Sequence, residues 1–201
     1  MIVVVEGISA SGKTWWCAQH AGGHVIAETG RVRGAPDSVA DPAGAAVYWA
    51  DRNVERWQAA LLLEGSAGPV VCDTDPLKLH YAWCSWQLGL ATEAAWRLAL
   101  GATRAAIAAH RIGFADLYLV ADIPPEIARM RVAQDHGRRR RNFAVHARMQ
   151  PALLVWYSVI GAALPGRVRF GLPESMPSLQ VTDPRYDLQV FDRIVAALPR
   201  P

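Results

Sequence analysis

The amino-acid sequence predicts one three-layer α/β domain, in which helices cover both faces of a five-stranded, mainly parallel sheet. Three observations lead to this prediction. Short apolar segments rich in β-branched residues alternate with longer segments of helical periodicity along the 201 residues. A glycine-rich turn joins the first apolar segment to the first helical one. No internal repeat or long linker divides the chain, and its length suits a single domain.

The strands are predicted from short apolar runs. Residues 2–5, Ile-Val-Val-Val, form a β-branched run of the kind that is buried on both faces of a parallel sheet. The other predicted strands are residues 24–27, 70–72, 116–121 and either 168–170 or 179–181. The sequence does not decide between the last two segments.

The helices are predicted where a 3.6-residue period lies between start and stop signals. Gly65 and Gly68 end one helix, and Pro124-Pro125 opens another, since proline is tolerated in a first helical turn. The predicted helices are residues 12–21, 45–64, 77–88, 92–111, 124 to about 137, 143–163 and 188–198. Residues 29–44 contain prolines and glycines and are predicted as a loop.

The composition is that of a globular protein, with 52% hydrophobic and 19% charged residues. No apolar run reaches the roughly 18–20 residues that span a bilayer, and no basic segment of a signal peptide follows Met1. Cys17, Cys72 and Cys84 lack metal-ligand spacing, and we interpret them as reduced packing residues. We therefore expect a cytoplasmic protein with no membrane partner.

Residues 7–14, Gly-Ile-Ser-Ala-Ser-Gly-Lys-Thr, match the phosphate-binding pattern G-x-x-x-x-G-K-[ST] at every fixed position. Glycines let the backbone wrap phosphates with its N–H groups, and the following helix adds the positive end of its dipole. This P-loop predicts ATP binding through Gly7, Ser9, Ala10, Ser11, Gly12, Lys13 and Thr14. Lys13 is expected to reach the β- and γ-phosphates, and the Thr14 hydroxyl is expected to bind Mg²⁺. The pattern leaves the choice between ATP and GTP open.

Carboxylates follow the second and third predicted strands. Glu28, Asp73 and Asp75 fall at carboxyl ends of strands, on the side of the sheet that carries the P-loop. A kinase needs a carboxylate there to accept or orient the proton of the attacking hydroxyl. Asp73 is the first candidate for this base and Glu28 is the second, with a turn or capping role as the alternative. Asp75 is a candidate ligand of the metal or the substrate, or a cap for the next helix.

Four consecutive arginines, Arg138, Arg139, Arg140 and Arg141, lie between two predicted helices. Guanidinium groups bind phosphate oxygens in pairs and offset charge on a transferring phosphoryl group. These arginines are therefore candidate phosphate-binding and catalytic residues. The alternatives are a solvated basic turn or a nucleic-acid contact. Because no further basic stripe is present, no nucleic-acid partner is expected.

The small-molecule acceptor is expected to bind near the helix at residues 45–64. This helix carries rings and hydrogen-bonding groups at spacings that share one face. The predicted acceptor-binding residues are Glu28, Arg31, Trp49, Arg52, Asn53, Trp57 and Asp75. The alternative for Trp49 and Trp57 is the packed core of an amphipathic helix.

Three segments carry a resemblance to known kinases. Residues 116–131, D-L-Y-L-V-A-D-I-P-P-E-I-A-R-M-R, resemble the thymidylate-kinase stretch in which PPE opens the helix leading to the lid. Residues 27–31, A-E-T-G-R, lie where that family carries a Glu-Pro-Gly loop. Residues 72–75, C-D-T-D, lie where it carries Asp-Arg, and are similar to the Asp-Thr-Asp of ribosylnicotinamide kinases. The chain lacks the arginine after Asp73 and the proline after Glu28.

The chain thus resembles the nucleoside and nucleotide kinase group of P-loop proteins. The resemblance implies a P-loop NTPase fold and transfer of the γ-phosphoryl group of ATP to a nucleoside or nucleotide. It also implies a helical lid of about residues 135–143 that closes over the phosphates and brings the four arginines into catalysis. One alternative is phosphorylation of an antibiotic or other natural product. Another is a regulatory P-loop NTPase without a small-molecule acceptor, although the guanine-specifying N/T-K-x-D motif is absent. The sequence is compatible with a homodimer.

Overall fold

Five strands form one sheet in the computed structural model, which describes residues 1–29, 34–135, 143–178 and 184–201. The strands are β1 (Ile2–Gly7), β2 (Val25–Ile26), β3 (Val70–Asp73), β4 (Leu117–Ala121) and β5 (Val168–Phe170). Their order is β2-β3-β1-β4-β5, and every pairing in this sheet is parallel. The predicted fold class is confirmed. Of the two candidates for the last strand, residues 168–170 form it, and residues 179–181 lie outside the described residues.

Eight helices occur within the described residues. They are α1 (Lys13–His20), α2 (Pro42–Ala67), α3 (Leu79–Gln87), α4 (Glu93–Ala108), α5 (Pro125–Gln134), α6 (Phe143–Arg148), α7 (Gln150–Ala163) and α8 (Leu188–Ala197). The single helix predicted over residues 143–163 is wrong, because the chain there forms α6 and α7 with a break at Met149. Pro151 has no amide hydrogen to continue α6 and occupies the first turn of α7 instead.

Two hydrophobic clusters cover the two faces of the sheet. Successive residues of a strand point to opposite faces, so Val4 and Tyr118 contribute to the larger cluster, while Val3 and Leu119 contribute to the smaller one. Strands β1, β3 and β4 are buried along their whole length, as is usual for strands covered on both faces.

The strand register places the P-loop beside two other strand ends. Val5 of β1 pairs with Asp73 of β3, and Gly7 pairs with Ala121 of β4. Both neighbours are parallel to β1, so their carboxyl ends lie where the P-loop begins. We call this edge of the sheet, at the carboxyl ends of its strands, the open side, and it is where a phosphate-binding site is expected.

The cysteines and the helices bear on two further expectations. Cys17, Cys72 and Cys84 are free and buried, as predicted for packing residues. In the part of the chain that the structure describes, no helix is long and apolar enough to cross a membrane.

Candidate active site

The P-loop connects β1 to α1, and its glycines have conformations that side chains rarely adopt. Gly12 precedes α1 with φ of 99°, and within the described residues no side chain caps the first amides of this helix. At Gly7 a Cβ would lie 2.9 Å from the Cβ of Ala121. The P-loop therefore passes too close to the end of β4 for a side chain at Gly7. The first N–H groups of α1 receive no side-chain cap from the described residues, as expected where a helix N-terminus binds phosphate.

Lys13 and Arg131 donate hydrogen bonds to backbone carbonyls of the P-loop. The ammonium of Lys13 donates to the carbonyls of Gly7 at 2.7 Å and Ile8 at 3.0 Å, so the lysine folds back over the loop. From α5, the guanidinium of Arg131 donates to the carbonyl of Ser11 at 2.8 Å. The Ser11 hydroxyl is buried and has no hydrogen-bond partner among the residues that the structure describes.

Thr14 and Asp73 join the P-loop to the end of β3. The hydroxyl of Thr14 donates to Oδ2 of Asp73 at 2.7 Å, and Asp73 is buried. Hydroxyl and carboxylate oxygens are the ligands that Mg²⁺ prefers, and Mg²⁺ usually keeps several waters besides phosphate oxygens. No group of three or more His, Cys, Asp or Glu suited to a metal occurs in the described part of the chain. The two oxygens fit a magnesium ion that draws its other ligands from phosphate and water.

Asp75 does not fit the predicted role of metal or substrate ligand. Its side chain is 2% exposed, and its two oxygens accept hydrogen bonds from the amide of Leu77 at 2.9 Å and the hydroxyl of Tyr157 at 3.2 Å. Burial raises the pKa of Asp75 to about 7. The carboxyl group therefore holds the turn before α3. It does not cap a helix that starts at Pro76, because α3 starts only at Leu79.

Glu6, which the sequence analysis did not select, ties the P-loop to the same turn. Its buried carboxylate accepts the amide of Gly7 at 3.0 Å through Oε1 and the amide of Asp75 at 2.9 Å through Oε2. Oε2 also lies 3.5 Å from Nε2 of His80, whose pKa is lowered by burial. The available signal was a charged residue at the end of an otherwise apolar strand, directly before the glycine that starts the P-loop.

Arg56 of α2 fixes the ends of β2 and β3. Its guanidinium donates to the carbonyls of Asp73 at 2.8 Å, Thr74 at 3.0 Å and Ala27 at 3.1 Å. A buried arginine that binds several carbonyl oxygens acts as a clamp on the backbone. It keeps Asp73 facing Thr14.

Glu28 lies at the open side of the sheet, just beyond β2. Nζ of Lys78 donates to its Oε1 at 2.5 Å, and the Glu28 side chain is 44% exposed. Burial alone would raise the pKa of this carboxyl, but the attraction and hydrogen bond of Lys78, with smaller contributions from Lys13 and Arg56, lower it below its ordinary value. Glu28 is therefore an ionised carboxylate that solvent, and so a ligand, can reach.

The predicted acceptor-binding residues of α2 divide between the site and the core. Asn53 donates to the carbonyl of Leu77 at 3.3 Å, which turns this side of α2 toward the turn before α3. Trp49, one helical turn earlier, is 37% exposed. Trp57 is 1% exposed in the larger hydrophobic cluster, with its indole N–H 3.2 Å from the hydroxyl of Tyr186. No ring face of Trp57 is left for an acceptor, so the core alternative applies.

Arg52 and the remaining arginines complete the predicted set. Arg52 forms an ion pair with Glu55, and its guanidinium lies 5.8 Å from the ring centre of Tyr48. Arg31 and the lid arginines, Arg138, Arg139, Arg140 and Arg141, lie outside the described residues, so their roles stay predictions.

Comparisons with known proteins bear on the fold. A scan against protein-family models gave no match, and a search of curated proteins gave none either. Among solved structures, deoxyadenosine kinase from M. mycoides with bound dATP matches with a TM-score of 0.56 and 10% identity, over 98% of this chain and 96% of that chain. The structure of that enzyme with dCMP and a flexible dCDP bound gives the same values. The one with dCTP has the same score and identity over 85% and 89% of the two chains. The chain therefore shares the fold of these deoxyadenosine kinase structures.

Proposed function

We propose that this chain is a phosphotransferase that moves the γ-phosphoryl group of ATP to a small acceptor, with a nucleoside or nucleotide as the expected class. The observation that carries the proposal is the 2.7 Å hydrogen bond between the Thr14 hydroxyl and the Asp73 carboxylate. It brings the last residue of the P-loop pattern to the end of β3, and the exposed carboxylate of Glu28 follows β2, the strand next to β3 in the sheet.

The P-loop supplies the site for the triphosphate. In the complex, the Lys13 ammonium would leave the carbonyls of Gly7 and Ile8 for the β- and γ-phosphates, since phosphate oxygens are stronger acceptors than neutral carbonyls. Thr14 and Asp73 would hold Mg²⁺ directly or through water. When bound, Mg²⁺ bridges phosphate oxygens and offsets the charge that develops during transfer.

Glu28 is the carboxylate best suited to accept the acceptor's proton. Asp73 was the first candidate from the sequence, but the hydroxyl of Thr14 occupies its Oδ2, which supports a role on the metal side. The exposed carboxylate of Glu28 supports the role of base. The acceptor hydroxyl would pass its proton to Glu28 while its oxygen bonds to the γ-phosphorus. The bond from that phosphorus to the bridging oxygen of ADP breaks, and ADP leaves.

The acceptor would lie between Glu28 and the exposed side of α2 that carries Trp49 and Arg52. An exposed indole offers a flat apolar surface, and a guanidinium offers donors to the edge of a base. The kinase fold supports a nucleoside or nucleotide over other small molecules. The arginines at residues 138–141 remain the predicted source of positive charge over the phosphates.

The test is acceptor-dependent release of ADP from Mg-ATP by the purified chain. The panel contains nucleosides, nucleoside monophosphates, nicotinamide riboside and hydroxylated antibiotics. We expect one class of nucleoside or nucleotide to raise ADP release strongly, and Lys13→Ala to abolish the rise. Arg97→Ala is the matched control, because Arg97 is an exposed cation on α4 that pairs only with Glu93 among the contacts of the described residues.

Two results would contradict the proposal. A rise only with an antibiotic would indicate a natural-product phosphotransferase. Tight ATP binding with slow hydrolysis that no acceptor changes would indicate a regulatory NTPase instead.

A further inference from the structure

Lys78 has a backbone conformation that is uncommon for a residue with a side chain. It precedes α3 with φ of 44° and ψ of 11°, in the left-handed region. Among the described residues, four non-glycine residues have positive φ, and three of them, Ala10, Thr74 and Lys78, lie in the P-loop or in the turn after β3. Strained residues tend to cluster at functional sites, where the surrounding structure holds them in place.

The side chain of Lys78 reaches from this turn across the open side of the sheet to Glu28. The ammonium lies 2.5 Å from Oε1 of Glu28, and the side chains are 28% and 44% exposed. Ion pairs as exposed as this one contribute little to folding stability. Stability alone therefore gives a weak reason for a strained lysine at this position.

We propose that Lys78 is the positioning residue for Glu28, holding its carboxylate in one orientation beside the P-loop where the acceptor hydroxyl must lie. The inference rests on the proposed function, because Glu28 needs a positioned partner only if it accepts the acceptor's proton. Lys78 itself does not have to touch the acceptor. It acts through the direction and the charge state of the carboxylate.

The surroundings of Glu28 leave Lys78 as its direct partner. Among the described residues, the ionisable groups that interact electrostatically with Glu28 are Lys13, Arg56, Lys78, His80, Tyr81 and His146. Lys13 donates to P-loop carbonyls, and Arg56 donates to carbonyls of β3 and Ala27. Among the described residues, Lys78 alone forms an ion pair with Glu28. Removing its charge should therefore change the titration of Glu28 more than any other single substitution.

The experiment measures the titration of the Glu28 carboxyl carbon by ¹³C NMR in the whole chain, with Glu28→Gln used to assign the signal. Lys78→Met removes the ammonium and keeps the length of the side chain. Lys78→Gly also removes it but relieves the backbone strain, so this variant should fold even if the first does not. Lys78→Arg keeps a cation. Arg104→Met, which breaks the exposed pair of Arg104 with Asp192 on another part of the surface, is the control.

We expect the measured pKa of Glu28 to rise by about 1 in Lys78→Met and Lys78→Gly. It should stay near the wild-type value in Lys78→Arg and in the control. We also expect the apparent pKa of the acid limb of the kcat/KM profile to rise by the same amount. This profile is measured with the acceptor that the panel identifies. At a pH well below the pKa of Glu28, the kcat/KM of these two variants should then be about tenfold lower than that of the wild type.

An unchanged Glu28 titration in both charge-removing variants would overturn the inference. So would a shifted titration with an unmoved acid limb, because Lys78 would then hold Glu28 without serving the reaction. If the wild-type chain turns over none of the acceptors, that result counts against the proposed function, and the NMR comparison alone decides whether Lys78 controls Glu28.

Discussion

Thr14 and Asp73 lie 59 residues apart in the chain, and their side chains form a 2.7 Å hydrogen bond. The contact follows from topology, because β1 and β3 are parallel neighbours and Val5 pairs with Asp73. The turn from β1 into α1 then carries Thr14 back over the end of β3. One hydroxyl and one carboxylate thus meet at the P-loop although they are far apart in the sequence.

Asp73→Asn removes the negative charge of the carboxylate that accepts the hydrogen bond of Thr14. If this pair holds Mg²⁺, kcat should fall by roughly 10²–10³, a usual loss for a group that stabilises charge in the transition state. The Mg²⁺ concentration needed for half-maximal rate should also rise. The measurement is the rate of ADP release with the identified acceptor over a series of Mg²⁺ concentrations.

Asp51→Asn is the control for that substitution, because Asp51, which lies on α2, forms an exposed ion pair with Arg111. It should leave both quantities at their wild-type values. An Asp73→Asn variant with normal Mg²⁺ dependence and a moderately reduced rate would contradict the metal-side role of Asp73.

Gly12→Ala is expected to weaken ATP binding by at least about tenfold. The added Cβ would sit at φ of 99°, which L side chains rarely adopt, and 3.2 Å from the guanidinium of Arg131. Either the loop or Arg131 must shift, and the amide groups that face the phosphates shift with it. Calorimetric titration with Mg-ATP measures the change.

Gly101→Ala is the matched control, since Gly101 lies in α4 and a Cβ there meets nothing within 4 Å. This substitution should stabilise the helix by about 1 kcal/mol and leave ATP binding unchanged. Equal ATP affinity in the wild type and in Gly12→Ala would show that the loop tolerates a side chain.

The sequence predicted the parts of the site that depend on short, contiguous patterns. The P-loop needs particular residues at fixed spacing, and carboxylates directly after buried strands must lie at the open side of a parallel sheet.

The pairing of Glu6 with the amide of Asp75 joins residues 69 positions apart, and no local pattern encodes it. For Trp57 the core alternative applies, because adjacent helical positions differ by about 100° in direction. Arg56 faces the strand ends, while Trp57 enters the core.

Glu6→Gln is expected to destabilise the chain by about 1–3 kcal/mol, because the amide nitrogen of glutamine cannot accept a hydrogen bond. The carboxylate accepts the amides of Gly7 and Asp75 through different oxygens, so one of these buried N–H groups would lose its partner. ATP affinity should fall as well, since Gly7 starts the P-loop. Urea unfolding and calorimetric titration with Mg-ATP measure the two effects. Unfolding identical to that of the wild type would mean that Glu6 is not a structural link.

Glu64 and Arg185 should make folding stability depend on acid pH. The hydrogen bonds of Arg185, at 2.6 and 2.7 Å, together with the ion pair of the Met1 ammonium, outweigh partial burial and lower the pKa of Glu64 from 4.5 to about 2. A carboxyl whose pKa is lowered by folding contributes its full stabilisation above the unfolded value, here about 4.5. That contribution is lost as the pH falls through about 2, because the carboxyl becomes protonated in the folded state as well.

Glu64→Gln should therefore lower the free energy of unfolding by roughly 1–3 kcal/mol at pH 7. The difference from the wild type should shrink steadily between pH 4.5 and the lowest pH at which both proteins remain folded, and urea unfolding over this range measures it. Glu93→Gln breaks the exposed pair with Arg97 and should change stability little at any pH. A difference for Glu64→Gln that is independent of pH would mean that its cost comes from packing, and that the charge of Glu64 does not stabilise the fold through Arg185 and the Met1 ammonium.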